Sequence, residues 1–144
     1  MIITFCGHSD FKETEEYKQK VLDFFERNIG NSSADIYLGE HGNFDNFAYT
    51  CCKTYKSTHS NISLIFVSPY LDIKPQRTDY DALIYPEIEN KPLKFAITYR
   101  NKYMVEKADL VIAFVYRSFG GAYKTYKYAK SKQKTIFNLA EFNG

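Results

Sequence analysis

The sequence predicts an α/β domain built on a mainly parallel, doubly wound sheet of five strands, with helices on both faces. Three observations lead there. Short β-branched and aromatic runs alternate with longer segments whose apolar residues recur at helical spacing. The runs at 62–67 (ISLIFV) and 110–115 (LVIAFV) are almost wholly apolar, as strands covered on both faces must be. Glycine-bearing turns follow the first, second and fourth strands.

Residues 1–6 (MIITFC) form the first strand, ended by Gly7. Ser9 or Asp10 then caps a helix, with Glu13 three residues after Asp10 in a capping-box arrangement. Tyr17, Val21, Phe24, Phe25 and Ile29 lie at helical spacing, and Gly30 is the stop. Residues 35–39 (DIYLG) are the second strand. Beyond Gly42-Asn43, the residues Phe44, Phe47, Ala48, Cys51, Cys52 and Tyr55 fall on one stripe of an amphipathic helix. Residues 62–67 are the third strand. Prolines at 69, 75 and 86 and the lack of a long period predict loop from 68 to 92, with a short strand near 83–85. Ile97, Asn101, Met104, Val105 and Ala108 mark the third helix, and 110–115 the fourth strand. Gly120-Gly121 opens a fourth helix through Ala129, and 135–139 (TIFNL) is the fifth strand.

A chain of 144 residues, 44% hydrophobic and 25% charged, suits a single domain over 1–144 and is too apolar for disorder. No apolar run reaches the ~20 residues of a membrane span, and the amino terminus lacks the pattern of a signal peptide. The three cysteines are odd in number, with Cys51 and Cys52 adjacent, which fits neither a disulfide framework nor a zinc site. A cytoplasmic protein without a metal is expected. The net charge of +2 gives no global field for nucleic acid, which is not expected as a partner.

Ligands of open α/β sheets bind outside the carboxyl ends of the strands. Those ends carry Gly7-His8-Ser9-Asp10, the turn from Gly39 to Asp45, and Ser118-Phe119-Gly120-Gly121. Five of the seven glycines, at 7, 39, 42, 120 and 121, fall in these three loops. Turn chemistry alone places glycine in any one βα loop. Three such loops on one edge, each leading to a helix N-terminus, point to an anionic or phosphate-bearing ligand. Neither a P-loop nor a GxGxxG fingerprint is present.

Several short motifs then occur in order over nearly the whole chain: Gly7-His8, Gly39-x-x-Gly42-Asn43-Phe44-Asp45, and Ile65-Phe66-Val67-x-Pro69-Tyr70-Leu71. They continue with Arg100-Asn101-x-x-Met104-Val105, Ala108-Asp109 and Gly120-Gly121-Ala122. In that order the chain resembles the YpsA-like group of the SLOG superfamily, whose domains are similar to Lonely Guy enzymes and Smf/DprA proteins. The resemblance implies a Rossmann-like sheet of order 3-2-1-4-5 that binds a nucleotide or nucleotide-derived ligand. There are departures. Ser9 stands where many relatives have Arg, Glu40 replaces a glycine of the second turn, and Asn43 stands where relatives carry Gly or Asp. Arg100 matches the Arg of Lonely Guy enzymes, but their PGGxGTxxE signature is lost: Phe119, Tyr123, Lys124 and Lys127 replace its Pro, Gly, Thr and Glu. An ammonium there opposes the positive charge that builds up in glycosidic cleavage, which argues against an enzyme of that mechanism.

The leading reading is a sensor, carrier or sequestering protein for a nucleotide-derived small molecule, with no required cofactor. Gly120, Gly121, Ala122 and the following helix would seat the phosphate, clamped by Arg100 beside Asn101 and Met104. Gly7, His8 and Ser9 would hold sugar or base together with Gly39, Glu40, Gly42, Asn43 and Asp45. Tyr70 after Pro69, Tyr116 and Tyr123 are the aromatic candidates for ligand contact. The alternative is a phosphoribohydrolase whose catalytic candidates are Arg100, Glu40 and His8. A second alternative is a single-stranded nucleic-acid or protein-interaction module. It draws on six basic and no acidic residues between 117 and 134, interleaved with tyrosines at 123, 126 and 128. The helical spacing of Lys127, Lys130 and Lys134 is equally that of a solvated face. No membrane partner is expected, and homo-oligomerisation is compatible with all three readings.

Overall fold

Every strand of the sheet runs parallel to its neighbours, and the strand order reverses at the first strand. In the computed structural model, which describes residues 1–143, the elements are β1 (Ile2–Gly7), α1 (Glu15–Asn28), β2 (Ala34–Leu38), α2 (Asn43–Lys56), β3 (Ile62–Val67) and β4 (Ala82–Ile84). They continue with a 3-10 turn (Leu93–Phe95), α3 (Ala96–Lys107), β5 (Leu110–Phe114), α4 (Gly121–Ser131) and β6 (Thr135–Asn138). The sheet order is β4-β3-β2-β1-β5-β6. β1 pairs with β2 on one side (Ile3↔Ile36) and β5 on the other (Phe5↔Ile112), so the crevice of the fold opens between the ends of β1 and β5. No helix among the described residues is long and apolar enough to cross a membrane.

The sheet has six strands, not the five expected. The additional strand, β4, registers against β3 as Ile65↔Ala82, Phe66↔Leu83 and Val67↔Ile84. It falls within one residue of the short strand expected near 83–85, but at three residues, with the first two side chains exposed, it carries too little pattern to be counted as a member of the sheet. The other five strands keep the order that the resemblance implies.

Side-chain alternation along β1 sorts the core. Ile3 and Phe5 point to the layer of α1 and α2, where they meet Phe25, Phe44 and Phe47. Cys6 points the other way, to Val105 and Ala108 at the end of α3 and to Ala129 of α4. The aromatic richness of the sequence is largely spent in the first layer. Phe11 lies 5.1 Å from Phe44, 4.9 Å from Phe47 and 4.7 Å from Phe114, ring centre to ring centre. That packing overrides the expected helix start. Phe11 is 3% exposed and follows a turn at Ser9-Asp10, with its N–H donating to the His8 carbonyl at 3.1 Å. The helix begins instead at Glu15, capped by the Thr14 hydroxyl, which accepts from the Tyr17 N–H at 3.1 Å.

The long connection from β3 to β4 is tied to α2. Lys53 reaches the Asp79 carboxylate at 2.8 Å, and the Tyr49 hydroxyl donates to the same group. Lys53 and then Tyr49 hold Asp79 down from 3.8 to about 2. Stability from this contact is complete above pH ~4 and lost as pH falls toward 2, because the unfolded carboxyl binds its proton first. Acid titration of the thermal midpoint should therefore be shallower in Asp79→Asn than in the natural chain. A second expectation concerns β1. A Cβ on Gly7 would sit 2.3 Å from Cγ of the buried Phe44. Gly7→Ala should cost about 1–3 kcal/mol and lower Tm by about 4–12 °C in a thermal melt.

Candidate functional site

A cleft of about 360 Å3 lies at the carboxyl ends of β1 and β5. Its floor is the end of β1, from Phe5 to Ser9, and one wall is α3 with Arg100, Asn101 and Lys102. The other wall is the β5–α4 loop and first turn of α4, with Arg117, Gly120, Gly121, Ala122 and Lys124. His41 and Asp45 reach it from the turn after β2.

Arg100 is the most unusual group here. It is 2% exposed, yet no carboxylate lies within ion-pair distance of it among the described residues. Its Nη1 donates to the Val67 carbonyl and its Nε to Oδ1 of Asn101, both at 2.9 Å. Burial weakens its hold on the proton, and the charge of Asp45 restores part of it. Burial likewise pushes the Asp45 carboxyl up. Arg100 and the His41 N–H, which donates to Oδ2 at 2.8 Å, pull it back. The guanidinium fits because residue 39 has no side chain: a Cβ there would lie 2.8 Å from Nη1.

Three further cations, Lys102, Arg117 and Lys124, line the same cleft. Arg117 pairs with Asp10 at 3.2 Å, and its buried Nε–H has no acceptor. His8 is buried, and its Nε2 accepts the Tyr116 N–H at 3.2 Å, which leaves the ring proton on Nδ1. Burial, then the nearby Arg117, lowers its pKa, so the ring is neutral. Gly120 (φ 92°) precedes α4 as its N-cap and supplies no side-chain hydrogen bond. The first-turn N–H groups of α4 lack intrahelical acceptors and carry the positive end of the helix dipole. The arrangement sets a guanidinium, ammoniums and first-turn N–H donors about one partly buried carboxylate.

Of the residues expected at a ligand, Gly7, His8, Ser9, Asp45, Arg100, Asn101, Gly120, Gly121 and Ala122 line this cleft. The remainder are placed elsewhere. Glu40, a catalytic candidate, turns its carboxylate to the β3–β4 connection, where it accepts from Gln76 N–H (2.8 Å), Arg77 N–H (3.3 Å) and the Tyr80 hydroxyl (2.9 Å). Gly42 has φ 96°, and the space of its missing Cβ is taken by Ser9 at 2.7 Å. Asn43 donates its N–H to the Ser9 carbonyl at 2.9 Å. Pro69 and Tyr70 belong to a turn closed by Ser68 Oγ on the Tyr70 carbonyl at 2.7 Å. Met104 is buried under Thr4, whose hydroxyl points to its sulfur at 3.7 Å. Tyr123 packs on Phe142, and Tyr116 is 48% exposed outside the lining. Lys102, Arg117 and Lys124 are the cleft cations that sequence reading left out of the site, along with the polar His41, Thr98 and Thr125. The signal of the cations was the basic composition around the third and fourth helices, which equally describes a solvated face.

No protein-family model and no curated protein matches this chain. A solved structure does: DNA processing protein A from Helicobacter pylori, described for its unique single-stranded DNA binding mode. It is 19% identical, with a TM-score of 0.63, over 100% of this chain and 67% of its own. The two share the Rossmann-like α/β fold. The expectation against nucleic acid is thereby overturned, since a protein of this fold is described by its binding of single-stranded DNA. Net charge was a poor ground for that expectation, because it sums the whole surface, whereas a phosphate meets the local field.

The geometry separates two kinds of glycine. Gly39→Ala should push the guanidinium off the Val67 carbonyl and cost about 1–3 kcal/mol. A Cβ on Gly121 meets nothing within 4 Å, and Gly121→Ala should raise stability by about 0.4–1 kcal/mol. Chemical denaturation of the two variants checks both signs.

Proposed function

We propose that this chain binds a nucleotide or nucleotide-derived molecule through its phosphate, as a sensor, carrier or sequestering protein. The observation that carries this reading is the buried Arg100 guanidinium, open to the cleft and unmatched by a carboxylate. A phosphate would complete its charge and take hydrogen bonds from the first turn of α4. Sugar and base would then lie toward His8, Ser9 and His41. Membership of the YpsA-like group is part of the proposal and rests on the ordered motifs alone. The hydrolytic alternative has less behind it, because three donors already occupy the Glu40 carboxylate.

A second reading is single-stranded nucleic acid, with one phosphodiester of the strand in place of the free phosphate. The shared fold of the single-stranded-DNA-binding neighbour and the cationic lining favour it.

Mass spectrometry of small molecules released from denatured protein, followed by thermal shift with nucleoside monophosphates, tests the first reading. At about 100 times Kd a ligand stabilises by ~2.7 kcal/mol, a rise in Tm of about 5–10 °C. The same shift should be absent with the bare nucleosides and lost in Arg100→Gln. Gly121→Ala should weaken it while leaving the ligand-free protein at least as stable. A shift of equal size for nucleoside and nucleotide would remove the phosphate site.

A further inference from the structure

Beyond the cleft, α3 and α4 pack side by side, and their surface alternates ammoniums with tyrosine rings. On α4, Lys127 Nζ lies 5.5 Å from the ring centroid of Tyr123, and Lys130 lies 5.4 Å from Tyr126. Tyr128 is flanked by Lys132 at 5.4 Å and by Lys102 of α3 at 5.3 Å. Lys102 also lines the cleft, as does Lys124 one helical turn before Tyr128. Anion site and ring surface are therefore continuous. Glu106 is the carboxylate found against this surface among the described residues, and the Tyr128 hydroxyl donates to it. Between 117 and 134 there are six basic residues and no acidic one.

We infer that a single strand of nucleic acid runs from the cleft across the outer face of α4, with phosphodiesters on Lys124, Lys127 and Lys130 and a base on Tyr128. The inference rests on the second reading above and adds the route of the strand. Two physical points select this occupant. Charge that is positive but for Glu106, continuous with a phosphate-type site, matches a polyanion. Half-buried rings spaced among the cations offer the stacking platforms that unpaired bases use and a duplex hides. The lysines that shade the rings sit on flexible four-carbon stems, so they can swing onto phosphates and uncover the ring.

The experiment is fluorescence anisotropy with deoxythymidine and uridine oligomers of about 20 nucleotides over a series of salt concentrations. The natural chain is compared with Lys127→Gln/Lys130→Gln, Tyr128→Ala and Arg100→Gln. The double variant should bind about tenfold more weakly, with a log–log salt slope smaller by about 1.4, the share of two single-strand phosphates. Tyr128→Ala should lose at least fivefold, and Tyr128→Phe, which keeps the ring, should retain binding. Mononucleotide thermal shift in the double variant should equal that of the natural chain, because neither lysine lines the cleft. Whichever oligomer binds more tightly identifies DNA or RNA as the source. An unchanged slope and affinity in the double variant, with binding lost in Arg100→Gln, would discard the route and keep the strand in the cleft. Oligomers that fail to bind at all, or a duplex or polyglutamate that competes as well as the single strand, would discard both.

Discussion

Burying a guanidinium without a carboxylate against it costs free energy, and the carboxyl edge of this sheet is organised around keeping Arg100 tolerable. The Val67 carbonyl and the Asn101 side chain each accept one of its N–H groups. Gly39 leaves room for its plane, and Asp45 supplies a compensating charge from outside ion-pair distance. Asp45 is itself steered by the His41 N–H at the turn into α2. Four elements, the ends of β2 and β3 with α2 and α3, are thus placed with respect to one side chain.

The same economy governs the rest of the edge. Glu40, drawn away from the cleft by Gln76, Arg77 and Tyr80, fastens the β3–β4 connection instead of opposing the anion site. His8, kept neutral by burial and by Arg117, contributes shape and a hydrogen bond to Tyr116 without adding charge. Arg117 is half committed, paired with Asp10 but left with an unmet Nε–H. The cleft is thereby lined by four cations and one carboxylate in a chain whose total charge is only +2.

The glycines illustrate what sequence could and could not resolve. Five of the seven sit at one edge of the sheet, and that edge does carry the cleft. Their reasons differ. Gly7 admits Phe44, Gly39 admits Arg100, and Gly42 turns tightly against Ser9. Only Gly120 and Gly121 meet open space. A glycine is silent in sequence about whether it makes way for a ligand or for its own protein, because both need the same missing Cβ. The charged residues were harder still. Lys102 and Lys124 have the composition of a solvated face, and what sets them apart is the crevice that two helices and a loop enclose. The start of α1 went astray for a related reason: a capping box is local, whereas the aromatic cluster that holds Phe11 joins three segments distant in sequence.

What the sequence determined by itself was everything that depends on period and local chemistry. The stripe from Phe44 to Tyr55 and the apolar runs of β3 and β5 follow from side-chain spacing on one helix or strand. The tertiary structure alone decided which polar groups meet. It sent Glu40 outward, buried Arg100 between β2, β3 and α3, and joined the short strand at 82–84 to the edge of the sheet. Such outcomes turn on distances of a few ångströms between residues about 17 to 108 positions apart, and spacing along a chain carries no information about them until the sheet is assembled.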